Sequence, residues 1–508
     1  MKKLFLGIFL FLFAFTLWSD EEKKSDKPEF KLEFPKEVSS ETKHSVTIGG
    51  TKIQYTATAG NIVLKTEEGK PKASFFYIAY IKDDVKDSST RPLTFSFNGG
   101  PGSSSVWLHL GIFGPKRVRM KDDGTPYPPP YYLEPNEYSI LDLTDVVFID
   151  PISTGYSRPV PGEPSSQYHG YQEDIESVGE FIRLYATRSK RWSSPKFIAG
   201  ESYGTTRAAG LVHWLQDRHG MYFNGVILVS VAIDFQTLEF QPGNESPYIL
   251  FLPTYTATAW YHKKLPSDLQ QADLQTALNE SRQFALNEYS LALLKGDQLS
   301  QNERKTIAQK LARLTGLSER FVEESDLRIS DSRFFKELRR SERLTVGRLD
   351  SRFVGRDRDA AGENIEYDPS YSAIQGNFTA SFNDYVRREL KYENDVAYEI
   401  LMGIRDWNPG KEFRDRYINS SEGLRQAITI NPSLKVYVAN GYYDLATPFF
   451  ATESTFNHLG LDPSLRNNIE MHYYEAGHMM YINKPSLIQQ RKDLTNFYQK
   501  ALSAPLQQ

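Results

Sequence analysis

Gly200-Glu201-Ser202-Tyr203-Gly204 follows the apolar run Lys196-Phe197-Ile198-Ala199 and precedes a helix-like segment. A serine on a tight strand-to-helix turn stands proud of its sheet, and flanking glycines are needed where a Cβ would collide with neighbouring strands. The five residues read as a nucleophile elbow. An elbow constrains the rest of the chain, because the other chemistry must then gather at the carboxyl ends of the strands of an open parallel sheet.

A serine hydroxyl is a poor nucleophile and needs a base, with an acid to orient that base. In such an architecture the chain order is Ser, acid, His. Residues 435–439 read as a buried strand opening into Asn440-Gly441-Tyr442-Tyr443-Asp444, which puts Asp444 at a strand end. Residues 469–474 read as another strand running into Glu475-Ala476-Gly477-His478, with His478 in the next loop. Ser202, Asp444 and His478 are therefore the candidate catalytic residues. The competing role for Asp444 is a turn aspartate capping the next helix. Of nine histidines, His472 falls inside a strand pattern and is expected to pack, while His213, His219 and His262 lack a glycine turn or strand end. Asp150 also ends a strand but precedes the serine.

Acyl transfer further requires two backbone N–H groups aimed at the developing oxyanion. One is expected from Tyr203. The other is expected from the loop Asn98-Gly99-Gly100-Pro101-Gly102-Ser103-Ser104-Ser105, which follows the apolar run Leu93–Phe97. A phosphate-binding loop is the competing reading, but no Gly-Lys-Ser/Thr follows and the glycine spacing is not that of a dinucleotide fingerprint.

The segments Asn98 to Ser105, Asp150-Pro151-Ile152-Ser153-Thr154-Gly155-Tyr156-Ser157, Gly200 to Gly204, Gly441 to Asp444 and Gly477-His478-Met479, in that order, resemble the serine carboxypeptidase family, in a secreted bacterial form. The resemblance spans about residues 70–235 and 430–500. It implies an α/β-hydrolase fold, a mostly parallel sheet with helices on both faces. It also implies Ser202, Asp444 and His478 as triad, with the Gly100 and Tyr203 amides as oxyanion hole. Asn98, the Gly99 amide and Glu201 would bind the free carboxylate of a peptide's last residue. No cofactor or metal is expected.

One position departs. In eukaryotic members a second glutamate, two residues before the Gly of a Gly-Pro pair, partners the one preceding the serine; here Ile112 stands there, ahead of Gly114-Pro115. Two carboxyls and a substrate carboxylate coexist only by sharing protons, which favours acidic pH. With Ile112 that device is incomplete. Either Glu201 meets the substrate in its protonated form, or a cation (Arg207, Lys116 or Arg117) takes over; each of these otherwise reads as a solvated surface charge.

The chain has no cysteine, which excludes disulfides, zinc-thiolate sites, thiol catalysis and a lipoprotein anchor. Lys2 and Lys3 precede an apolar run over 4–18 and then Asp20-Glu21-Glu22-Lys23-Lys24. That run is shorter than the ~20 residues a membrane span needs. Residues 1–19 are accordingly expected to be a signal peptide of a periplasmic or secreted protein, with an uncleaved amino-terminal anchor as the alternative. Residues 20–43 read as a disordered spacer, 44–240 as the first part of the core, 241–425 as an inserted helical cap, and 426–508 as the second part of the core. Within the cap, Asp357 to Gly362 hints at a calcium loop, but Ala361 occupies a ligand position and Asp368 replaces the bidentate Glu, so a surface loop is expected. A net charge of −4 gives no basic footprint for nucleic acid. The expected function is hydrolysis of carboxyl-terminal residues from peptides. A serine esterase or acyltransferase and a catalytically inactive binder are the alternatives.

Overall fold

A computed structural model describes residues 34–404, 407–414 and 416–503; the amino-terminal run read as a signal peptide lies outside them. Nine strands order the main sheet: β1 Ser39–Ile48, β2 Thr51–Lys65, β3 Pro71–Lys82, β4 Leu93–Phe97, β5 Asp145–Ile149, β6 Lys196–Ser202, β7 Gly225–Val231, β8 Lys435–Gly441 and β9 Ile469–Tyr474. Their spatial order is β1-β2-β3-β5-β4-β6-β7-β8-β9, with Arg158–Pro159 paired beside β3. From β5 to β9 every pairing is parallel, while β1, β2 and β3 form an antiparallel edge. The β1–β2 hairpin turns on Gly49 and Gly50, both at positive φ, the backbone that a two-residue turn matched to strand twist demands.

Strands β4, β5 and β7 are buried along their whole length, as parallel strands covered on both faces must be. Alternation then sends side chains to opposite layers. Val226 and Leu228 join a cluster with Val178, Phe181, Leu211 and Leu215 from helices α1 (Tyr171–Arg188) and α2 (Tyr203–His219). Ile227 and Val229 join the opposite cluster with Leu494, Phe497 and Tyr498 of the terminal helix Lys484–Leu502.

Three expectations about boundaries change. Ser39 to Lys43, inside the expected spacer, are strand, paired with Gly60 to Thr56; an edge strand with one wet face has the polar composition of a spacer. The expected separate cap is two units. Helices between Ser246 and Glu337 build their own cluster around Phe251, Tyr255, Leu278, Leu311 and Phe334, docked on Tyr442, Tyr443 and Phe449. Helix Pro369–Arg388 instead sends Ile374, Phe378, Phe382 and Tyr385 into the main core. Finally, the 425/426 boundary falls inside helix Ser421–Ile430, whose Leu424, Ala427 and Ile428 pack in the α1/α2 layer. An amphipathic helix carries the same pattern whichever apolar surface it covers, so the sequence does not separate these cases. In the acidic stretch of the insertion, the Lys336 ammonium pairs with Asp357, and Asp368 caps helix Pro369–Arg388 through the Ser370 amide at 2.9 Å.

Candidate active site

Ser202 ends β6 and precedes the first residue of α2, at φ +59° and ψ −130°. A non-glycine residue in that region costs of order 1–3 kcal/mol and persists only where its surroundings over-determine it. The surroundings here are tight: a Cβ on Gly200 would lie 2.0 Å from the Gly204 carbonyl oxygen. The turn therefore has no slack, and the Ser202 side chain faces a cavity of about 340 Å3 shared with His478.

The Nδ1 of His478 lies 2.7 Å from the Asp444 Oδ2. Asp444 is fully buried, and its other oxygen accepts the amides of Ala446 and Thr447 at 2.8 and 3.0 Å. The Thr447 hydroxyl donates to Oδ2 at 2.6 Å. Burial pulls the His478 imidazole down, but the Asp444 carboxylate outweighs it and holds the group above its ordinary value. The backbone of His478 is tied to two distant elements: its N–H donates to the Leu349 carbonyl at 2.7 Å, and its carbonyl accepts the Ser230 hydroxyl at 2.7 Å. His472 stacks on Tyr437 with ring centroids 4.7 Å apart, between Glu470 and Asp493. Asp150 accepts the amide and hydroxyl of Ser105, both at 2.9 Å, and so anchors the glycine loop.

That loop presses on the elbow. A Cβ on Gly99 would lie 2.4 Å from the Tyr203 nitrogen, so the Gly100 and Tyr203 amides belong to two segments in direct contact, and Tyr203 opens a helix whose first-turn N–H groups have no intrahelical acceptor. Arg207 fastens the contact from below. Its guanidinium pairs with Asp174 at 2.7 Å, donates to the Asn98 carbonyl at 2.6 Å, and stacks over Phe97 and Tyr203.

A serine carboxypeptidase family model matches residues 51–484. The chain belongs to that family. Serine carboxypeptidase-like 36 of Arabidopsis thaliana is 32% identical over 139 residues, 26% of each chain. The pheromone-processing carboxypeptidase KEX1 of Saccharomyces cerevisiae is 33% identical over 156 residues, 28% of this chain and 20% of that one. These alignments thus span about a quarter or less of the relatives' own length. The crystal structure of Kex1(delta)p, a prohormone-processing carboxypeptidase from Saccharomyces cerevisiae, superposes with a TM-score of 0.55 at 17% identity, covering 88% of this chain and 91% of that one, which shows a shared fold.

Beside Ser202, this serine carboxypeptidase family member carries a second polar centre. Glu201 is buried; its Oε1 accepts the Asn98 amide at 2.9 Å and its Oε2 accepts the Tyr481 hydroxyl at 2.5 Å. Burial pushes its carboxyl up to about 7, against the opposing pull of His478 and of these two donors. None of the three candidate cations is placed to replace it. Arg207 is buried and committed to Asp174 and Asn98, Lys116 pairs with Glu389, and Arg117 pairs with Glu134. The surface-charge reading also fails for Arg117 and Arg207, both buried; Asp174, the partner of Arg207, lies on a helix with no sequence signal linking the two. Ile112 is a fully buried member of the main core.

The remaining cavity wall is apolar: Trp107, Tyr371, Ile374, Leu401, Met402 and Met479, with Arg348 at the exposed rim. Four of these come from residues 349–404, outside the segments that carry the family resemblance. On the other side of Pro101 and Tyr203 a larger cleft of about 710 Å3 is lined by Phe235, Glu239, Trp407 and Phe413 among others. Tyr481, Thr447 and Ser230 were also missed. Only Thr447 had a usable signal, since a threonine three residues after a turn aspartate returns its hydroxyl to that carboxylate.

Proposed function

We propose that the protein is an exported serine-type carboxypeptidase acting on peptides with a free terminal carboxylate and an apolar last side chain. The observation that carries this reading is the 340 Å3 cavity, which holds Ser202 and His478 together with Asn98, Gly99 and Glu201 beside an apolar wall. A terminal carboxylate set on the polar group leaves the last side chain against Trp107 and Met479 and brings the final peptide bond to Ser202. The cleft beyond Tyr203 then takes the residues upstream. The apolar amino-terminal run supports export.

In this mechanism His478 takes the Ser202 proton as Oγ attacks the scissile carbonyl carbon. The Gly100 and Tyr203 amides donate to the oxyanion. His478 returns the proton to the departing amine as the C–N bond breaks, leaving an ester on Ser202. Water then attacks that ester, with His478 taking its proton and passing it to Oγ of Ser202 as the C–Oγ bond breaks and the shortened peptide leaves. Asp444 holds the imidazole tautomer and offsets its charge.

The test is mass spectrometry of products from matched peptides ending in Phe or Lys, as free acids and as amides, with simple esters included. Rapid loss of a terminal Phe from the free acid alone is the expected result. Equal cleavage of acid and amide defeats the carboxypeptidase reading, and turnover confined to the esters would favour an esterase.

A further inference from the structure

We propose that Tyr481, seated in the space left by Gly111, stands in for the missing second carboxyl and is the positioning residue that sets the upper pH limit of terminal-carboxylate binding at Glu201. The inference rests on the carboxypeptidase reading above. The space argument is direct: a Cβ on Gly111 would lie 2.3 Å from a Tyr481 ring carbon. Only a residue without a side chain at 111 lets the ring reach its place, and the adjoining Ile112 has no group to offer a carboxylate. Tyr481 itself is fully buried and is not part of the cavity lining, so it acts on the substrate through Glu201.

A phenol and a carboxyl differ as partners. A second carboxyl brings another negative charge at neutral pH and forces proton sharing. A phenol brings none, because burial and the neighbouring Glu201 push the Tyr481 hydroxyl well above its ordinary value, so it remains a donor throughout the working range. Donation to Oε2 favours the ionised form of Glu201 and opposes the rise that burial imposes. The other charged groups that act on Glu201 are His478, which favours ionisation, and Asp444 behind it, which disfavours it. Arg348 and Tyr371 line the same cavity. Removing the Tyr481 hydroxyl therefore keeps Glu201 neutral to higher pH.

The experiment is the pH dependence of KM and kcat for an N-blocked dipeptide acid ending in phenylalanine, and for its amide, with wild type, Tyr481→Phe and Gly111→Ala. Tyr481→Phe keeps the ring. Gly111→Ala displaces it and is expected to act in the same direction. In both variants the alkaline rise of KM for the acid should move up by about one pH unit, roughly tenfold tighter binding on that limb, with the amide profile and kcat little changed. Calorimetric binding of the same acid to Ser202→Ala and Ser202→Ala/Tyr481→Phe proteins gives the shift without turnover. An unmoved limb, or the same displacement for acid and amide, overturns the role of Tyr481 while leaving the carboxypeptidase reading intact. A wild type that does not distinguish acid from amide overturns both.

Discussion

The two ends of the cavity at Ser202 are assembled by different rules. At the Ser202 end, Asp444 draws its amide and hydroxyl donors from residues two and three positions on, and His478 follows one strand later. At the other end, Glu201 is held by Asn98, 103 residues away, and by Tyr481, 280 residues away. The first end depends on local turns that have recognisable sequences. The second depends on how the end of β6 meets the Asn98 loop and the segment after His478, and a single replacement such as Gly111 or Ile112 can change its chemistry without touching a motif.

The comparison breaks most severely if the nucleophile end is not where it is drawn. Ser202→Ala is expected to abolish labelling by an organophosphonate and to lower kcat by at least ~10^4-fold, leaving the residual rate that binding and the oxyanion hole supply. His478→Gln should match it within tenfold, because triad members act as a unit. His472→Gln should keep a near-normal rate, since that ring is stacked on Tyr437 and engaged with Glu470 and Asp493. Labelling at Ser104 or Ser105, or inactivation by the His472 change, would reverse the assignment.

A middle-sized effect joins the two ends. Arg207→Met leaves the buried Asp174 without its partner, and breaking such a pair typically costs about 3–5 kcal/mol. It also removes the donor to the Asn98 carbonyl. The double variant Arg207→Met/Asp174→Leu separates these consequences. It should recover most of the lost stability in a denaturant titration, because no buried charge remains, yet keep a reduced kcat/KM because Asn98 and the glycine loop are still loose. Recovery of both quantities together would show that Arg207 contributes packing alone.

What the sequence disclosed follows the same division. The elbow and the strand ends at Asp444 and His478 are each specified within a few residues, so their spacing is visible. The burial of Arg207 is not, because a guanidinium under a loop has the same local sequence as one on a surface. Nor is the split of the expected cap, since Phe334 and Phe382 both lie on helices with one apolar face, although the first packs in the helical lobe and the second on the main core. Ile112 shows a third kind of limit: it revealed that a carboxyl was missing but gave no sign that Tyr481 occupies the other side of Glu201.

The smallest effect tests whether the two ends titrate as one unit. On the proposed carboxypeptidase reading, binding of a terminal carboxylate requires neutral Glu201, a form lost as pH rises through about 7; KM for a free-acid peptide should then climb about tenfold per unit. The same reading requires neutral His478 as base, a form lost as pH falls, and the Asp444 carboxylate keeps that ionisation above the ordinary histidine value. Because each charge lies in the field of the other, the two limbs belong to the pair and not to either residue. A free-acid peptide should therefore give a narrow bell in kcat/KM near neutrality, whereas its amide, which does not need neutral Glu201, should keep the acid limb and lose the alkaline fall. The measurement is kcat/KM for both peptides from acid to mildly alkaline buffer at constant ionic strength. An optimum for the acid in the ordinary carboxylate range, about pH 4–5, would mean that proton sharing of the paired-carboxyl kind operates here without its second carboxyl. An alkaline fall of the same depth for the amide would remove Glu201 from carboxylate recognition and leave the nucleophile end to account for the whole profile.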